Sequence, residues 1–259
     1  MNDAFSPSPP RALWIIKLGD ALPHLRAAHG DFEDWMAAHF APLPPPHSTP
    51  PVRVTDPRQG QALPELDQCA GIVVTGSDAM VTDREPWSEA TAVWLAEAVA
   101  REVPVLGICY GHQLLAHALG GEVGPHPEGL EVGTVQVHTL AEAARDPLLG
   151  HLPAQFGAAV SHRQSVRRLP PGAVVLAHNA FESHHAYRVG RCAWGVQFHP
   201  EFGPDATRAY VAHLDASLRA QGSDPDALAR AVGPTPEATR VLTRFATLVA
   251  EREPHGSAA

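Results

Sequence analysis

Short apolar runs alternate with segments whose apolar positions recur every three or four residues, and this alternation organises the first half of the chain. Ala12–Lys17 (ALWIIK) predicts a first strand, Val52–Thr55 a second, Gly71–Thr75 (GIVVT) a buried third and Pro104–Ile108 (PVLGI) a fourth. Between them, Asp31–Phe40 reads as a helix ended by the Pro-rich run Pro42–Pro51. Ser88 is the expected N-cap of a helix through Arg101, with Val93, Trp94, Ala98 and Val99 on one face. Another helix is expected from Gly111 to Leu119, directly after the fourth strand. Strands and helices alternating in this way imply a mainly parallel sheet covered on both faces.

After Gly121 the pattern changes. Glu131–His138, Ala173–Ala177, Ala186–Val189 and Ala193–Phe198 read as strands with turn residues between them, some of them paired as an antiparallel ribbon at one edge. Pro204 opens a helix carrying Tyr210, Val211, Leu214 and Leu218 on one side. In the tail, Thr235 is the expected N-cap and Pro236 the first residue of a helix with the apolar stripe Val241, Leu242, Phe245, Leu248 and Val249. Packing of this helix on the domain is the expectation; a homodimer or partner helix is the alternative, because one stripe serves either. The chain divides into a Pro- and Ser-rich disordered leader (1–10), one domain (11–221) and a C-terminal helical extension packed on it (222–259).

Composition narrows the function classes. A chain of 259 residues that is 44% hydrophobic can build one sizeable core. A formal charge of −9 argues against non-specific nucleic-acid binding. Three cysteines with no CxxC spacing argue against a disulfide framework or a zinc knuckle. The first residues have neither a basic nor an apolar segment of the signal-peptide kind, and no run reaches the roughly 18 apolar residues of a membrane span. A soluble cytoplasmic protein is the expectation. The 16 histidines form no HExxH and no ligand-spaced Cys/His cluster, and the neighbours His184 and His185 point to opposite faces of a strand, so no metal and no cofactor are expected.

Gly107-Ile108-Cys109-Tyr110-Gly111-His112-Gln113 joins the fourth strand to its helix. A nucleophile flanked at two positions by glycine, between a strand and a helix, is the pattern of a sharp elbow that a side chain at either glycine would obstruct. Such a turn holds the nucleophile in a strained conformation at the carboxyl end of the sheet. The helix start favours a thiolate, and its free N–H groups can stabilise an oxyanion. The other reading of a lone cysteine, a small buried hydrophobe, suits Cys69 and Cys192, which lack this setting.

A nucleophilic cysteine needs an imidazole within reach, and the imidazole needs a group on its other nitrogen. The apolar strand AWGVQF ends in His199-Pro200-Glu201, and residues two apart on an extended segment project to the same side. Taken alone, His199 reads as a partly exposed loop histidine; the elbow and the HPE tripeptide in one chain favour a base, with Glu201 orienting it.

GICYGHQLLAHALGG, with GVQFHPE about ninety residues later, resembles the class I glutamine amidotransferase family, and within it stand-alone proteins similar to the amidotransferase domain of GMP synthase. The resemblance spans roughly residues 12 to 215. It implies a flavodoxin-like three-layer α/β/α sandwich with a mainly parallel central sheet and a small antiparallel edge ribbon. It also implies hydrolysis of the glutamine side-chain amide through a γ-glutamyl thioester on Cys109, with His199 as base and Glu201 as its orienting group. By the same resemblance, the oxyanion hole comes from the backbone N–H groups of Tyr110 and Ser77, and Gly76, Gln113 and His162 are the substrate contacts; the other readings are an ordinary first-turn polar residue for Gln113 and, favoured, a structural loop histidine for His162. DREPW (83–87), Glu131-Val132-Gly133 and the loop Ser161–Val166 fit the pattern as well. Two departures are the loop TGSD, where many relatives have S-G-G-P or S-N-G-P, and His185, where relatives often have Gln; the second points to a different outer pocket.

The chain has no G-x-x-x-x-G-K-[ST] and no G-x-G-x-x-G, so a synthetase that used the ammonia is expected on a separate chain, if one exists. Two other readings compete with a glutaminase. A γ-glutamyl peptidase or hydrolase would use the same acyl chemistry on γ-glutamyl amides or peptides. A non-catalytic protein with a regulatory or binding role would keep only the scaffold.

Overall fold

The computed structural model describes residues 11–40 and 49–253, so the leader expected over 1–10, most of the Pro-rich run and the last six residues lie outside the described residues. Four apolar runs form the middle of the sheet: β1 (Ala12–Ile16), β3 (Cys69–Val74), β4 (Val105–Ile108) and β11 (Ala193–Val196), nearly every residue of which is buried. Burial on both faces is why they read as continuous rather than alternating apolar segments. β2 (Val52–Thr55), at the edge, leaves two of its residues exposed.

These five strands run parallel in the order β2-β1-β3-β4-β11. The sheet then continues antiparallel through β10 (Ala186–Val189), β9 (Val174–His178), β6 (Glu131–Thr139) and β7 (Gln155–His162). A separate ribbon pairs β5 (Glu122–Pro125) with β8 (Gln164–Arg168). The antiparallel part is thus a four-strand continuation of the main sheet, with the small ribbon beside it.

The helices are α1 (Pro23–His29), α2 (Phe32–Ala37), α3 (Pro86–Ala100), α4 (Tyr110–Ala118), α5 (Pro204–His213), α6 (Asp215–Ala220), α7 (Pro225–Ala231) and α8 (Pro236–Arg252). Alternate strand residues divide between two cores. Leu13, Ile15, Val73, Leu106, Ile108, Trp194 and Val196 pack with α1, α2 and α8; Ile72, Val74, Val105 and Ala193 pack with α3 and α4. The result is the three-layer α/β/α sandwich expected from the sequence. Gly71 lets α8 approach closely, since a Cβ there would lie 2.5 Å from Val249.

Several local expectations change. α3 begins at Pro86, whose fixed φ suits a first helical residue, so Ser88 is not its cap. Ser88 is buried inside the helix, with its hydroxyl 2.6 Å from the Tyr110 hydroxyl. The buried face of α3 is Thr91, Ala92, Leu95 and Ala98, small enough to pack closely against α4, and Val93 points outward at 73% exposure. Thr235 makes no side-chain cap bond to α8. The stretch 161–166 is not a loop but the end of β7 and the start of β8, and the apolar pattern does not signal α1, β5, β7 or α7.

Candidate active site

β4 ends at Ile108, and the chain turns so sharply that Cys109 has φ 49 and ψ −99 before α4 begins at Tyr110. A non-glycine residue in this region stores about 1–3 kcal/mol of strain, held here by the surroundings. The flanking glycines are sterically required. A Cβ on Gly107 would lie 2.4 Å from the Gly111 carbonyl oxygen, and one on Gly111 would lie 2.5 Å from that of Val74. The Cys109 N–H donates to the Val196 carbonyl at 2.9 Å, fixing the elbow to the neighbouring strand.

β11 lies parallel to β4 with Ile108 opposite Val196, so both chains leave the sheet at the same edge. Three residues further on stands His199, its N–H donating to the Ala159 carbonyl at 2.8 Å. The His199 Nδ1 is 2.7 Å from the Glu201 Oε1, and both side chains are buried. The imidazole stacks on Phe202, with centroids 4.0 Å apart. Burial alone would lower the pKa of His199. The charge of Glu201 and the charge and hydrogen bond of Cys109 outweigh it and raise the value to about 10. The site therefore favours an imidazolium facing the sulfur. By contrast, burial pushes the Cys69 thiol up to about 12 and that of Cys192 up as well.

Residues 75–78 follow β3. The Thr75 hydroxyl accepts from the Leu18 N–H and donates to the Gly76 carbonyl, both at 2.9 Å. Gly19 abuts the same carbonyl, and a Cβ there would lie 2.5 Å from it. In a trans peptide the following N–H points the opposite way, so the Ser77 N–H faces away from Gly19 and Thr75. Among the described residues neither the Ser77 nor the Tyr110 N–H makes a hydrogen bond. Gly76 itself lies over the Cys109–His199 pair.

Beside the sulfur is a cavity of about 290 Å³ lined by Ser77, Tyr110, Gln113, His162, Gln164 and others. The Gln113 Nε2 donates to the Gln164 carbonyl at 2.8 Å and to the Gln197 Oε1 at 2.9 Å. A backbone carbonyl only accepts, so this amide is fixed with Oε1 as its remaining group. His162 stands in the cavity wall with both ring nitrogens engaged: Nδ1 at 3.0 Å from the Gln164 carbonyl and Nε2 at 2.8 Å from the Glu131 Oε2. Glu131 is held in turn by Asn179 at 2.7 Å. His185 does not line the cavity; it lies buried behind it, 3.5 Å from Glu131, and burial lowers its pKa to about 3 despite that carboxylate.

Cys109, His199, Glu201, Ser77, Gly76, Tyr110, Gln113 and His162 thus meet at one end of the sheet. Sequence reasoning missed Thr75, Phe32, Gln197, Phe202 and Tyr210. Phe202 directly follows the HPE tripeptide, and Tyr210 was seen only as part of a helix stripe. Among the described residues no group of three His, Cys, Asp or Glu side chains could hold a metal, and no helix is long and apolar enough to cross a membrane.

The family model for glutamine amidotransferase class-I matches residues 49–215. The chain is 40% identical over 131 residues to a GMP synthase (glutamine-hydrolyzing) of Thermomicrobium roseum, a stretch covering 51% of this chain and 23% of that protein. It is 39% identical over 105 residues to one subunit of the glutamine-hydrolyzing GMP synthase of Methanocaldococcus jannaschii, covering 40% of this chain and 54% of the relative. The match therefore spans about a quarter of the first relative and about half of the second. Among solved structures, a glutamine amidotransferase of Thermotoga maritima superposes with a TM-score of 0.69 at 19% identity, covering 94% of this chain and all of that one. One from Methylobacillus flagellatus gives 0.69 at 24% identity, covering 97% and 99%. At these identities the likeness to the two structures concerns the fold.

Proposed function

The chain belongs to the glutamine amidotransferase class-I family, and we propose that it hydrolyses the side-chain amide of glutamine through a γ-glutamyl thioester on Cys109. The observation that carries this reading is the buried His199–Glu201 pair meeting Cys109 at the elbow, with His199 raised to about 10.

The Cys109 thiolate attacks the γ-carbonyl carbon, and the oxygen takes up negative charge. The free N–H groups of Ser77 and Tyr110 are the donors available to that oxyanion. The carbon–nitrogen bond then breaks, and the nitrogen leaves as ammonia with the proton from the His199 imidazolium. Water adds to the thioester, giving its proton to His199. The carbon–sulfur bond breaks, glutamate leaves, and the imidazolium–thiolate pair is restored. Glu201 stays ionised throughout, holding the ring by its Nδ1 and stabilising its charge. In the cavity, the Gln113 Oε1 is an acceptor suited to the α-ammonium group of the substrate.

Some relatives are named as one subunit of the GMP synthase rather than the whole enzyme, which fits an ammonia acceptor carried on another chain. We extend that arrangement to this chain as part of the proposal, with a synthetase as its partner. Incubation with glutamine, rapid acid quench and intact-mass measurement tests the acyl step. A mass gain of one glutamyl group on the native chain, absent from Cys109→Ala, is the expected result. No adduct and no ammonia release would refute the proposal.

A further inference from the structure

Cys109 opens onto two spaces of unequal size. The larger, about 290 Å³, extends toward Tyr110, Gln113 and Gln164. The smaller, about 20 Å³, is walled by Phe32, Phe202 and His199 and adjoins the larger, with which it shares Tyr210, Ser77, Asp78 and Ser161. His199 lines this cleft and not the larger cavity. A departing nitrogen must lie within hydrogen-bond reach of the imidazolium that protonates it. It must therefore leave into the small cleft while the glutamyl chain occupies the large one.

A space needs about 10–15 Å³ to hold one water-sized molecule. The cleft, at about 20 Å³, takes a group the size of ammonia, and a carbon substituent on the nitrogen would press against its aromatic walls. Its walls are braced. Phe202 stacks on His199 at 4.0 Å, on Tyr210 at 5.0 Å and on Phe32 at 6.0 Å. Trp35 braces two of these rings, edge-on to Phe32 at 5.6 Å and to Phe202 at 5.8 Å. Phe32 is the first residue of α2, and its N–H donates to Asp31, whose carboxylate also accepts from the Ala21 N–H and from Lys17. A ring held at its backbone and on both sides does not swing aside without disturbing the helix start.

We infer that Phe32, Phe202 and Tyr210 form a leaving-group filter, admitting the unsubstituted amide of glutamine and excluding γ-glutamyl amides that carry an alkyl or peptidyl group on the nitrogen. The inference rests on the hydrolysis proposed at Cys109 and adds to it which γ-glutamyl compounds can react. Phe32 lines the cleft and not the larger cavity and lies far from His199 in sequence, which makes it the residue to change.

The test compares kcat/KM for glutamine, γ-glutamyl methylamide and γ-glutamyl ethylamide, reading glutamate formation by the full chain. The acyl half is the same in all three, so the ratio reports the leaving-group side alone. One extra carbon in a hydrophobic pocket is worth roughly 10–200-fold. The native chain should therefore turn over the methylamide at least about tenfold less efficiently than glutamine, and the ethylamide less still. Phe32→Ala should narrow the methylamide ratio, with Phe32→Leu as the milder variant should the alanine form fail to fold. Native turnover of the methylamide equal to that of glutamine would overturn the filter while leaving the thioester reading intact. So would folded Phe32 variants with an unchanged ratio. Absence of glutamate from every substrate, with no acyl adduct, would overturn the hydrolysis reading itself.

Discussion

Gly76 and His199 are packed so closely that a methyl group on the Gly76 α-carbon would lie 2.9 Å from the imidazole Cε1. Either the ring or the loop peptide must yield, and each carries part of the proposed chemistry. Gly76→Ala is expected to lower kcat for glutamine hydrolysis by about 10²–10³-fold, the loss typical of removing one oxyanion donor. Thermal stability should fall as well, since overpacking a buried contact costs about 1–3 kcal/mol, so kcat is compared at a temperature where the variant is folded. Activity within a few-fold of native would show that the loop is not a working part of the site.

Thr75 has two hydrogen bonds in the same loop, and Thr75→Val removes both while keeping the shape of the side chain. The Leu18 N–H would be left buried without a partner, costing about 1–3 kcal/mol of stability. The Gly76 carbonyl would lose its anchor, and with it the aim of the Ser77 N–H. Denaturant unfolding should show the loss, and kcat should fall more than KM changes. Thr75→Ser keeps the hydroxyl and should recover most of both. A valine variant as active and as stable as native would remove Thr75 from this role.

His199 gives a pH signature whose sign can be worked out. Its value is raised from the ordinary 6.5 to about 10 in the folded chain, so the folded state binds its proton more tightly than the unfolded chain does. The resulting stabilisation is fully present below 6.5 and is lost as pH rises toward 10. The melting temperature of the native chain should fall across this window. Glu201→Gln removes the largest influence that raises the value, so the His199 resonances should titrate at lower pH in an NMR experiment and the slope of melting temperature against pH should flatten. The same variant should lose less kcat than His199→Ala, since Glu201 orients and does not transfer protons. Equal losses in the two would contradict that division of labour.

Much of this site is legible in the linear chain because its parts are local. An elbow needs glycine two residues on either side of the nucleophile, and Gly107 and Gly111 supply it. A base and its orienting acid two residues apart are readable as HPE. The central strands are readable because burial on both faces leaves unbroken apolar runs. What escapes is set by distance along the chain. Ser161–Val166 looks like a polar loop because its partners, Glu131 for His162 and Gln113 for the Gln164 carbonyl, are supplied by β6 and α4. Phe32 falls within the helix expected over Asp31–Phe40, and nothing near it in sequence signals that the ring faces a cleft shared with His199. The register of α3 is legible in part: Trp94, Ala98 and Val99 do pack on the core, whereas Val93 points outward and Ser88, Thr91, Ala92 and Leu95 complete the buried face.

Thiol chemistry should be selective. Cys69 and Cys192 are buried with raised values, Cys69 at about 12, whereas Cys109 lines the cavity beside an imidazolium. Thiolates, not thiols, are alkylated. A short exposure to iodoacetamide near pH 7 should place one label, on Cys109, as read by peptide mass mapping, and His199→Ala should slow that labelling by at least about tenfold. Labelling of Cys69 at a comparable rate would contradict the burial assignment.

The hydrogen bond from the Cys109 amide to Val196 has a further implication. It makes the reactive residue the last rung of the ladder between β4 and β11, directly after the paired Ile108 and Val196 at the sheet's centre. Amides of central strands are among the last to exchange with solvent. The machinery then has no private way of coming apart: heat or urea that silences it has to break the sheet first, and inactivation and melting should share one midpoint.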